Sequence, residues 1–232
     1  MIKPYNCIIV ANGSFPSSPL SLRMLGKASV IIACDGAADA LHRRGFTPDA
    51  VVGDMDSLSP EMRRLYADRL YASAEQRTND LTKAVRHAHA SGEKEVLITG
   101  ATGMREDHTL GNISLLASYA PLFSRVEMLT DCGLFTPLRQ TATLQSVPGQ
   151  QVSLFVLYPE GKITTENLRW PVTNRVLTSW WQGTLNEALA DSFTVRLEED
   201  GCVIVFRELP SCLSREGLLR EGLSREGLSR EG

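Results

Sequence analysis

Two aspartates, Asp54 and Asp56, follow a short apolar run in the segment VVGDMDS at residues 51–57. Residues two apart share one face of a strand, and in a loop after the strand their carboxylates can converge. Converging carboxylates repel each other, and a hard divalent cation such as Mg²⁺, which binds carboxylates together with phosphates, removes that repulsion. A turn before Ser57–Pro60 explains the same pair, because aspartate is a common turn residue. Both interpretations stay open for the pair alone.

A second charged segment, QRTNDLTKA, occupies residues 76–84. Thr78 or Asn79 is a candidate N-cap, which places Asp80 in the first helical turn, where a carboxylate interacts favourably with the helix dipole. The functional alternative makes Asp80 a third metal carboxylate and Lys83, one turn later, a phosphate contact.

The third segment, TGATGMREDHTLGN at residues 99–112, has the richest chemistry. Glycines such as Gly103 allow a tight turn from a strand into a helix that starts near Asp107, and free N–H groups at a helix start attract phosphate. Arg105 adds a planar cationic fork for phosphate oxygens. The segment matches neither a Walker loop nor GxGxxG. A turn with a capping aspartate is the structural alternative, and ligand binding by such a loop is the functional one.

The elements that must position these residues alternate along the first part of the chain. Helical spacing of apolar residues predicts helices at Asp80–Ala90 and Thr109–Tyr119. Strand, helix, strand alternation predicts an α/β domain with a mostly parallel sheet, in which ligands bind beyond the carboxyl ends of the strands. The predicted strands are Cys7–Ala11, Ser29–Ala33, Ala50–Val52, Glu95–Thr99 and Arg125–Thr130.

Beyond about residue 133 the helical spacing fades, and short strand-like runs separated by turn residues predict an all-β, sandwich-like C-terminal domain. We therefore divide the chain into an α/β domain at 1–132, a β domain at 133–210 and a low-complexity LSREG-repeat tail at 211–232. The predicted β runs are Ala142–Val147, Gln151–Leu157, Thr178–Trp181, Phe193–Leu197 and Cys202–Phe206.

Composition excludes several classes of protein. The net charge of -3 indicates neither a nucleic-acid partner nor an anionic membrane surface. The five cysteines are irregularly spaced and include no CxxC pair, which argues against a disulfide framework or a zinc site. The first apolar run is too short for a signal peptide or a membrane span. We expect a cytoplasmic protein.

The three segments, in this order and spacing, resemble the thiamine pyrophosphokinases. The resemblance covers roughly residues 5–207 and includes Asp35-Gly36 after the second strand and the segment GTLNE at residues 183–187. It implies an enzyme in which the hydroxyl of thiamine attacks the β-phosphorus of ATP, so that AMP leaves and thiamine diphosphate forms. It also implies Mg²⁺, ATP as co-substrate, and a homodimer formed by the β domains.

The resemblance assigns roles to particular residues. As metal ligands it implies Asp54, Asp56 and Asp80; as further catalytic groups, Arg105 and Asp107; as nucleotide contacts, Asp35, Gly36, Lys83, Thr102, Gly103, Arg105 and His108; as thiamine contacts, Gln76, Thr184 and Asn186. Asp107 either orients the attacking hydroxyl or holds Arg105. Trp180 or Trp181 is a candidate to stack on the cationic ring of thiamine, and a core tryptophan beside a surface tryptophan is the alternative. The chain departs from the family pattern at Arg77, Asn79 and Leu185. Leu185, in place of the usual serine, puts one thiamine hydrogen bond in question.

Two other functions are compatible with parts of the sequence. An Asp-x-Asp pair after an apolar strand also resembles haloacid-dehalogenase-type phosphatases, although those proteins carry the pair on their first strand. A thiamine- or nucleotide-binding regulator could use the same fold, but it has no need of three metal carboxylates.

Overall fold

The computed structural model of the chain describes residues 2–157, 161–198 and 201–209. The predicted LSREG tail lies outside the described residues. The first part alternates strands and helices as predicted, with short 3₁₀ turns at Ala67–Arg69 and Ala120–Leu122. Its elements are β1 Cys7–Val10, α1 Pro19–Leu25, β2 Val30–Cys34, α2 Ala37–Arg43, β3 Ala50–Gly53, α3 Pro60–Leu65, β4 Leu70–Ala72, α4 Asp80–Ala90, β5 Glu95–Thr99, α5 Glu106–Tyr119 and β6 Arg125–Leu129.

These six strands are parallel and lie in the order β6-β5-β1-β2-β3-β4. Buried apolar clusters cover the sheet on both faces, as expected for crossover connections. The chain runs outward from β1 through β4 and then returns to place β5 on the other side of β1. This reversal makes the crevice beyond β1 and β5 the expected ligand position.

The second part consists of short antiparallel strands. They are β7 Gly133–Leu138, β8 Ala142–Gln145, β9 Gln151–Val156, β10 Ile163–Glu166, β11 Asn186–Glu187, β12 Ser192–Leu197 and β13 Val203–Glu208. Four of them continue the first sheet beyond β6 in the order β7-β13-β9-β11, and three form a separate sheet in the order β10-β12-β8. Side chains from both sheets share one apolar core, so the predicted α/β plus sandwich-like fold is confirmed.

One predicted strand is wrong. Residues Thr178–Trp181 do not form a strand, because a 3₁₀ helix occupies Trp180–Gly183. Ser179 caps this helix, and the Gln182 side chain bonds back to the Ser179 backbone, so local polar contacts prevail over the β propensity of the tryptophans. The short edge strand β4 was not predicted.

The starts of α3 and α4 follow the predicted capping chemistry, whereas α5 begins after Arg105 without a side-chain cap. Ser59 caps α3, whose first residue is Pro60, and the Asn79 side chain accepts a hydrogen bond from the Thr82 backbone N–H at the start of α4. Asn79 rather than Thr78 is therefore the cap that places Asp80 at the first helical position. None of the helices in the described part of the chain has the length and apolarity needed to span a bilayer.

Candidate active site

Three aspartates meet where β2 and β3 end. One carboxylate oxygen from each of Asp35, Asp54 and Asp56 lies within 4.8 Å of the others. A tight turn produces this convergence: Met55 has a φ of 69°, and the Asp56 N–H donates to Asp54 Oδ1 over 3.2 Å. That backbone N–H lowers the pKa of Asp54. The predicted convergence of Asp54 and Asp56 is thus present in the structure.

Asp35 is buried, with 1% of its surface exposed. Its Oδ2 accepts the Ser57 N–H over 3.0 Å, whereas its buried Oδ1 has no hydrogen-bond partner among the described residues. Burial, with the neighbouring Asp56 and Asp80, raises the pKa of Asp35 to about 6. A buried carboxylate with an unpaired oxygen beside two other carboxylates needs a positive charge nearby.

Asp80 lies next to this cluster. A β-carbon built on Gly53 would be 2.9 Å from the Asp35 β-carbon and 3.2 Å from the Asp80 carboxyl carbon, so glycine at 53 leaves both carboxylates room. Lys83 is buried and its Nζ is 2.9 Å from Asp80 Oδ1. Burial alone would lower the pKa of Lys83, but the bond with Asp80 outweighs it and raises the pKa.

A cavity of about 630 Å³ collects side chains from all three predicted segments. Its volume falls within the range typical of small-molecule sites, about 300–1,000 Å³. Asn12 and Gly13, which follow β1, complete the lining. The predicted site residues that line it are Asp54, Gln76, Asp80, Lys83, Thr102, Arg105 and His108.

Arg105 and Asp107 form a two-point ion pair at the start of α5. Arg105 Nε is 3.1 Å from Asp107 Oδ1 and a terminal nitrogen is 2.6 Å from Oδ2. The guanidinium therefore holds the pKa of Asp107 at about 2. The two-point bond with Asp107 fixes the orientation of the Arg105 guanidinium, which lines the cavity. Because a guanidinium has five N–H donors, Arg105 keeps donors that can bind another anion.

Two of the predicted nucleotide contacts, Gly36 and Gly103, lie where neighbouring loops approach each other closely. Gly36 caps α2, and a β-carbon there would lie 2.8 Å from the Asn12 side-chain nitrogen and 3.0 Å from the Ser57 carbonyl oxygen. Gly103, at a φ of 88°, packs against Ser14, whose hydroxyl donates to the Gly103 carbonyl over 2.8 Å. These glycines let the loops after β1, β2, β3 and β5 approach each other.

The predicted thiamine residues of the β domain do not join this cavity within one chain. Asn186 is buried and exchanges hydrogen bonds with the Trp170 backbone, and the Thr184 hydroxyl donates to the Trp181 carbonyl. Asn186 lies in β11, eight strand positions from β3, which is about 38 Å along the sheet at ~4.8 Å per strand. Trp181 is 74% exposed and Trp180 43%.

The sequence motifs did not predict that Asp35 belongs to the carboxylate cluster. The family resemblance implied a nucleotide contact for Asp35 instead. The signal was present, because Asp35 follows β2 as Asp54 follows β3, and adjacent parallel strands end at one edge. The carboxylate oxygens of Asp35, Asp54 and Asp56 fit a hard divalent cation, because the buried Asp35 Oδ1 has no hydrogen-bond partner in the described part of the chain. The predicted metal ligand Asp80 is not one of these three and instead pairs with Lys83.

The fold and the site are those of a doubly wound α/β protein that carries a carboxylate cluster beside Lys83 and Arg105 and is joined to a β sandwich. Two protein-family models match this chain. The model described as thiamin pyrophosphokinase, catalytic domain, matches residues 22–129, and that described as thiamin pyrophosphokinase, substrate-binding domain, matches residues 133–206. The chain belongs to the thiamin pyrophosphokinase family, as the motifs predicted.

Individual proteins that this chain resembles carry the same family name. Thiamine pyrophosphokinase 2 of Oryza sativa subsp. japonica is 31% identical over 83% of this chain and 83% of its own length. Thiamine pyrophosphokinase 1 of the same plant is 31% identical over 70% of this chain, and the match spans 66% of that relative. The solved thiamine pyrophosphokinase of Bacillus subtilis has the same fold, with a TM-score of 0.73, 21% identity and coverage of 88% of this chain and 99% of that one.

Proposed function

We propose that this chain transfers the pyrophosphoryl group of ATP to the hydroxyl of thiamine, giving thiamine diphosphate and AMP, in a reaction that requires Mg²⁺. The observation that carries the proposal is the cluster of Asp35, Asp54 and Asp56 at the edge of one cavity. Asp80, Lys83 and Arg105 line the same cavity as Asp54. Membership of the family supplies the identity of the two substrates. A binding protein would gain nothing from so many close carboxylates, which repel one another without a cation.

Asp35, Asp54, Asp56 and Asp80 would hold the cation, which supplies neutralisation of phosphate charge when bound. The protein's own contribution to phosphoryl transfer is mainly positioning and electrostatic stabilisation. Lys83, fixed by Asp80, and Arg105, fixed by Asp107, direct positive charge at the transferred group.

The loop after β5 contributes its backbone as well. Thr102 lines the cavity just before the first turn of α5, where free N–H groups attract phosphate oxygens. Gln76, whose side-chain nitrogen donates to Asp54 Oδ2 over 3.3 Å, lines the cavity, where it can orient thiamine.

The thiamine site is proposed to include Thr184, Asn186, Trp180 or Trp181 from a second subunit. The separation along the sheet supports this arrangement, because these residues cannot reach the carboxylates of their own chain. The exposed apolar side chains on segment 170–189 offer a contact surface: Trp170, Trp180, Trp181, Leu185 and Leu189. We further propose a cytoplasmic enzyme, consistent with its scattered cysteines.

The direct test is an assay of AMP release from ATP in the presence of thiamine and Mg²⁺. AMP should form only when thiamine is present, and chelation of the metal should stop it. ATP consumption without thiamine, or trapping of a phospho-aspartate at Asp54, would instead support the phosphatase alternative. Thiamine binding without any turnover would support the regulator.

Subunit mixing tests the shared site. Asp56→Asn removes a phosphate-site residue and Asn186→Ala a residue of the proposed thiamine side. If sites are shared, half of a random mixture is heterodimer with one intact site each, so about a quarter of wild-type activity returns. No recovery from the mixture, despite subunit exchange shown by mass, would contradict a shared site.

A further inference from the structure

Two asparagines in the wall of the cavity connect the helices that carry its cations. Asn79 caps α4, which contains Lys83, and Asn112 lies on α5, which begins after Arg105. The Asn79 side-chain nitrogen donates a hydrogen bond to Asn112 Oδ1 over 3.0 Å. The sequence motifs gave Asn79 a capping role only, and they gave Asn112 none.

The orientation of the Asn79 amide is fixed by its contacts within α4. Its Oδ1 accepts hydrogen bonds from the Thr82 backbone N–H over 3.0 Å and from the Thr82 hydroxyl over 2.8 Å. Because these bonds require an acceptor, the oxygen of the amide faces α4 and the nitrogen remains to donate to Asn112. One side chain therefore caps α4 and joins it to α5.

Asn112 extends the connection to the loop after β5. Its side-chain nitrogen donates to the Ala101 carbonyl over 2.9 Å. Ala101 directly precedes Thr102, a predicted nucleotide contact, and both residues line the cavity. The Asn112 amide thus contacts the start of α4 with its oxygen and the β5 loop with its nitrogen.

A further hydrogen bond joins the same two helices deeper in the protein. The Thr82 and Tyr119 hydroxyl oxygens are 2.7 Å apart, and Tyr119 is buried. Since the Thr82 hydroxyl donates to Asn79, the Tyr119 hydroxyl is the donor in this pair. Four hydrogen bonds therefore form one chain, in which each group donates to the next and each bond polarises its neighbour. The chain runs from Tyr119 through Thr82, Asn79 and Asn112 to the Ala101 carbonyl.

The two cations are otherwise held by contacts near their own positions in the chain. Lys83 pairs with Asp80 in the first turns of α4, and Arg105 pairs with Asp107 at the start of α5. Neither ion pair reaches the other helix. The asparagine bond does, and it lies in the wall of the cavity that both cations line.

We propose that the hydrogen bond between Asn79 and Asn112 sets the position of Lys83 relative to Arg105, so that a polyphosphate meets two cations already in place. Both asparagines are positioning residues, because they act through the two cations. A site whose groups are fixed beforehand loses less conformational entropy when its ligand binds, and its affinity is higher for that reason. The inference rests on the proposed function for the identity of ATP as the polyphosphate.

Asn79→Ser separates the cap from the connection between the helices. Serine caps a helix about as well as asparagine, but it has no amide nitrogen to donate to Asn112. Calorimetry in the presence of Mg²⁺ should therefore show a Kd for inorganic tripolyphosphate about tenfold higher than in wild type, or ~1.4 kcal/mol. The midpoint of chemical unfolding in chelator should be that of wild type.

The matched control is Asn6→Ser. It removes a bond of the same kind, from the Asn6 side-chain nitrogen to Glu93 Oε2 at 3.3 Å, at a position away from the cavity. This variant should bind tripolyphosphate as wild type does. An unchanged Kd in Asn79→Ser, a lowered unfolding midpoint in that variant, or a wild type that does not bind tripolyphosphate would each overturn the proposal.

A double variant tests whether the two asparagines act through one bond. Asn112→Ala should raise the Kd for tripolyphosphate at least about tenfold, because it also releases the Ala101 carbonyl. Adding Asn79→Ser to it should then change the Kd less than about twofold, since the partner of Asn79 is already gone. A further tenfold rise in the double variant would show that the residues act independently, and it would also overturn the proposal.

The AMP-release assay gives a readout that general damage to the fold would not produce. In Asn79→Ser the KM for ATP should rise about tenfold while the KM for thiamine stays the same, because only the phosphates contact both cations. Equal rises in the two KM values would count against positioning.

The two proposals can fail separately. If Asn79→Ser weakens tripolyphosphate binding but wild type releases no AMP with thiamine, the reaction is wrong and the positioning role stands. If wild type releases AMP with thiamine but Asn79→Ser changes neither the Kd for tripolyphosphate nor the KM for ATP, the reaction stands and the positioning role is wrong.

Discussion

Gly53 is the point where a single added methyl group should damage both the fold and the metal site. It ends β3 between Asp35 and Asp80, and its backbone is not in the left-handed region, so alanine is conformationally acceptable there. The consequence of Gly53→Ala is therefore purely steric. Its new β-carbon would lie 2.9 Å from the Asp35 β-carbon and 3.2 Å from Asp80 Oδ1.

Carbon atoms normally approach to about 3.5–4.0 Å, so Asp35 or β3 must move by roughly 0.5–1 Å. Asp35 cannot swing into solvent, because it is buried and held by the Ser57 N–H. Overpacking of this kind costs about 1–3 kcal/mol in free energy of unfolding. For a chain of this length that corresponds to a fall in Tm of about 2–12 °C.

The matched control is Gly111→Ala, on the exposed side of α5, where a β-carbon meets nothing within 4 Å. Alanine in a helix interior is favoured over glycine by about 0.5–1 kcal/mol, so this variant should be slightly more stable than wild type. Chemical unfolding, followed by circular dichroism with and without Mg²⁺, measures both variants.

Because the added methyl separates Asp35 from its neighbours, Gly53→Ala should also need more Mg²⁺ than wild type for half-maximal AMP release. An unfolding free energy within about 0.5 kcal/mol of wild type, the ordinary range for harmless surface changes, would refute the packing argument. An unchanged Mg²⁺ requirement in a destabilised variant would refute the role of Asp35 in the metal site.

Three further predictions concern the site and the tail. Asp56→Asn should remove most turnover and the stabilisation by Mg²⁺. Its free energy of unfolding in chelator should stay within about 0.5 kcal/mol of wild type, because the side chain is exposed. The control Asp68→Asn, at an exposed position away from the cavity, should change neither turnover nor the stabilisation by Mg²⁺, and an active Asp56→Asn would reject the metal role. Arg105→Lys keeps the charge but loses the two-point bond to Asp107, so kcat should fall at least about tenfold in steady-state assays, and an unchanged kcat would show that the fork is unimportant. Deletion of residues 213–232 should leave KM and kcat unchanged, and a large loss of either would mean that the repeat has a function.

Much of the fold was predictable because it depends on local patterns. Strand β1 is apolar throughout, β5 is apolar between Glu95 and Thr99, and α4 carries an apolar stripe with Asn79 as its cap. These signals lie within a few residues of each other in the chain. The strand expected at Thr178–Trp181 was wrong because capping contacts of Ser179 and Gln182 decided the local conformation there.

The sequence alone determined which chemical groups the protein has and in which order: aspartates after apolar strands, an Arg-Asp pair at a helix start, and the motifs of one family. Only the tertiary structure decided which groups meet. Parallel pairing of β2 with β3 brings Asp35, far from Asp54 in the chain, into the carboxylate cluster, and the length of the sheet keeps Asn186 away from it. Strand pairing depends on contacts between residues far apart in the chain, so a motif of a few residues does not show which side chains will lie together.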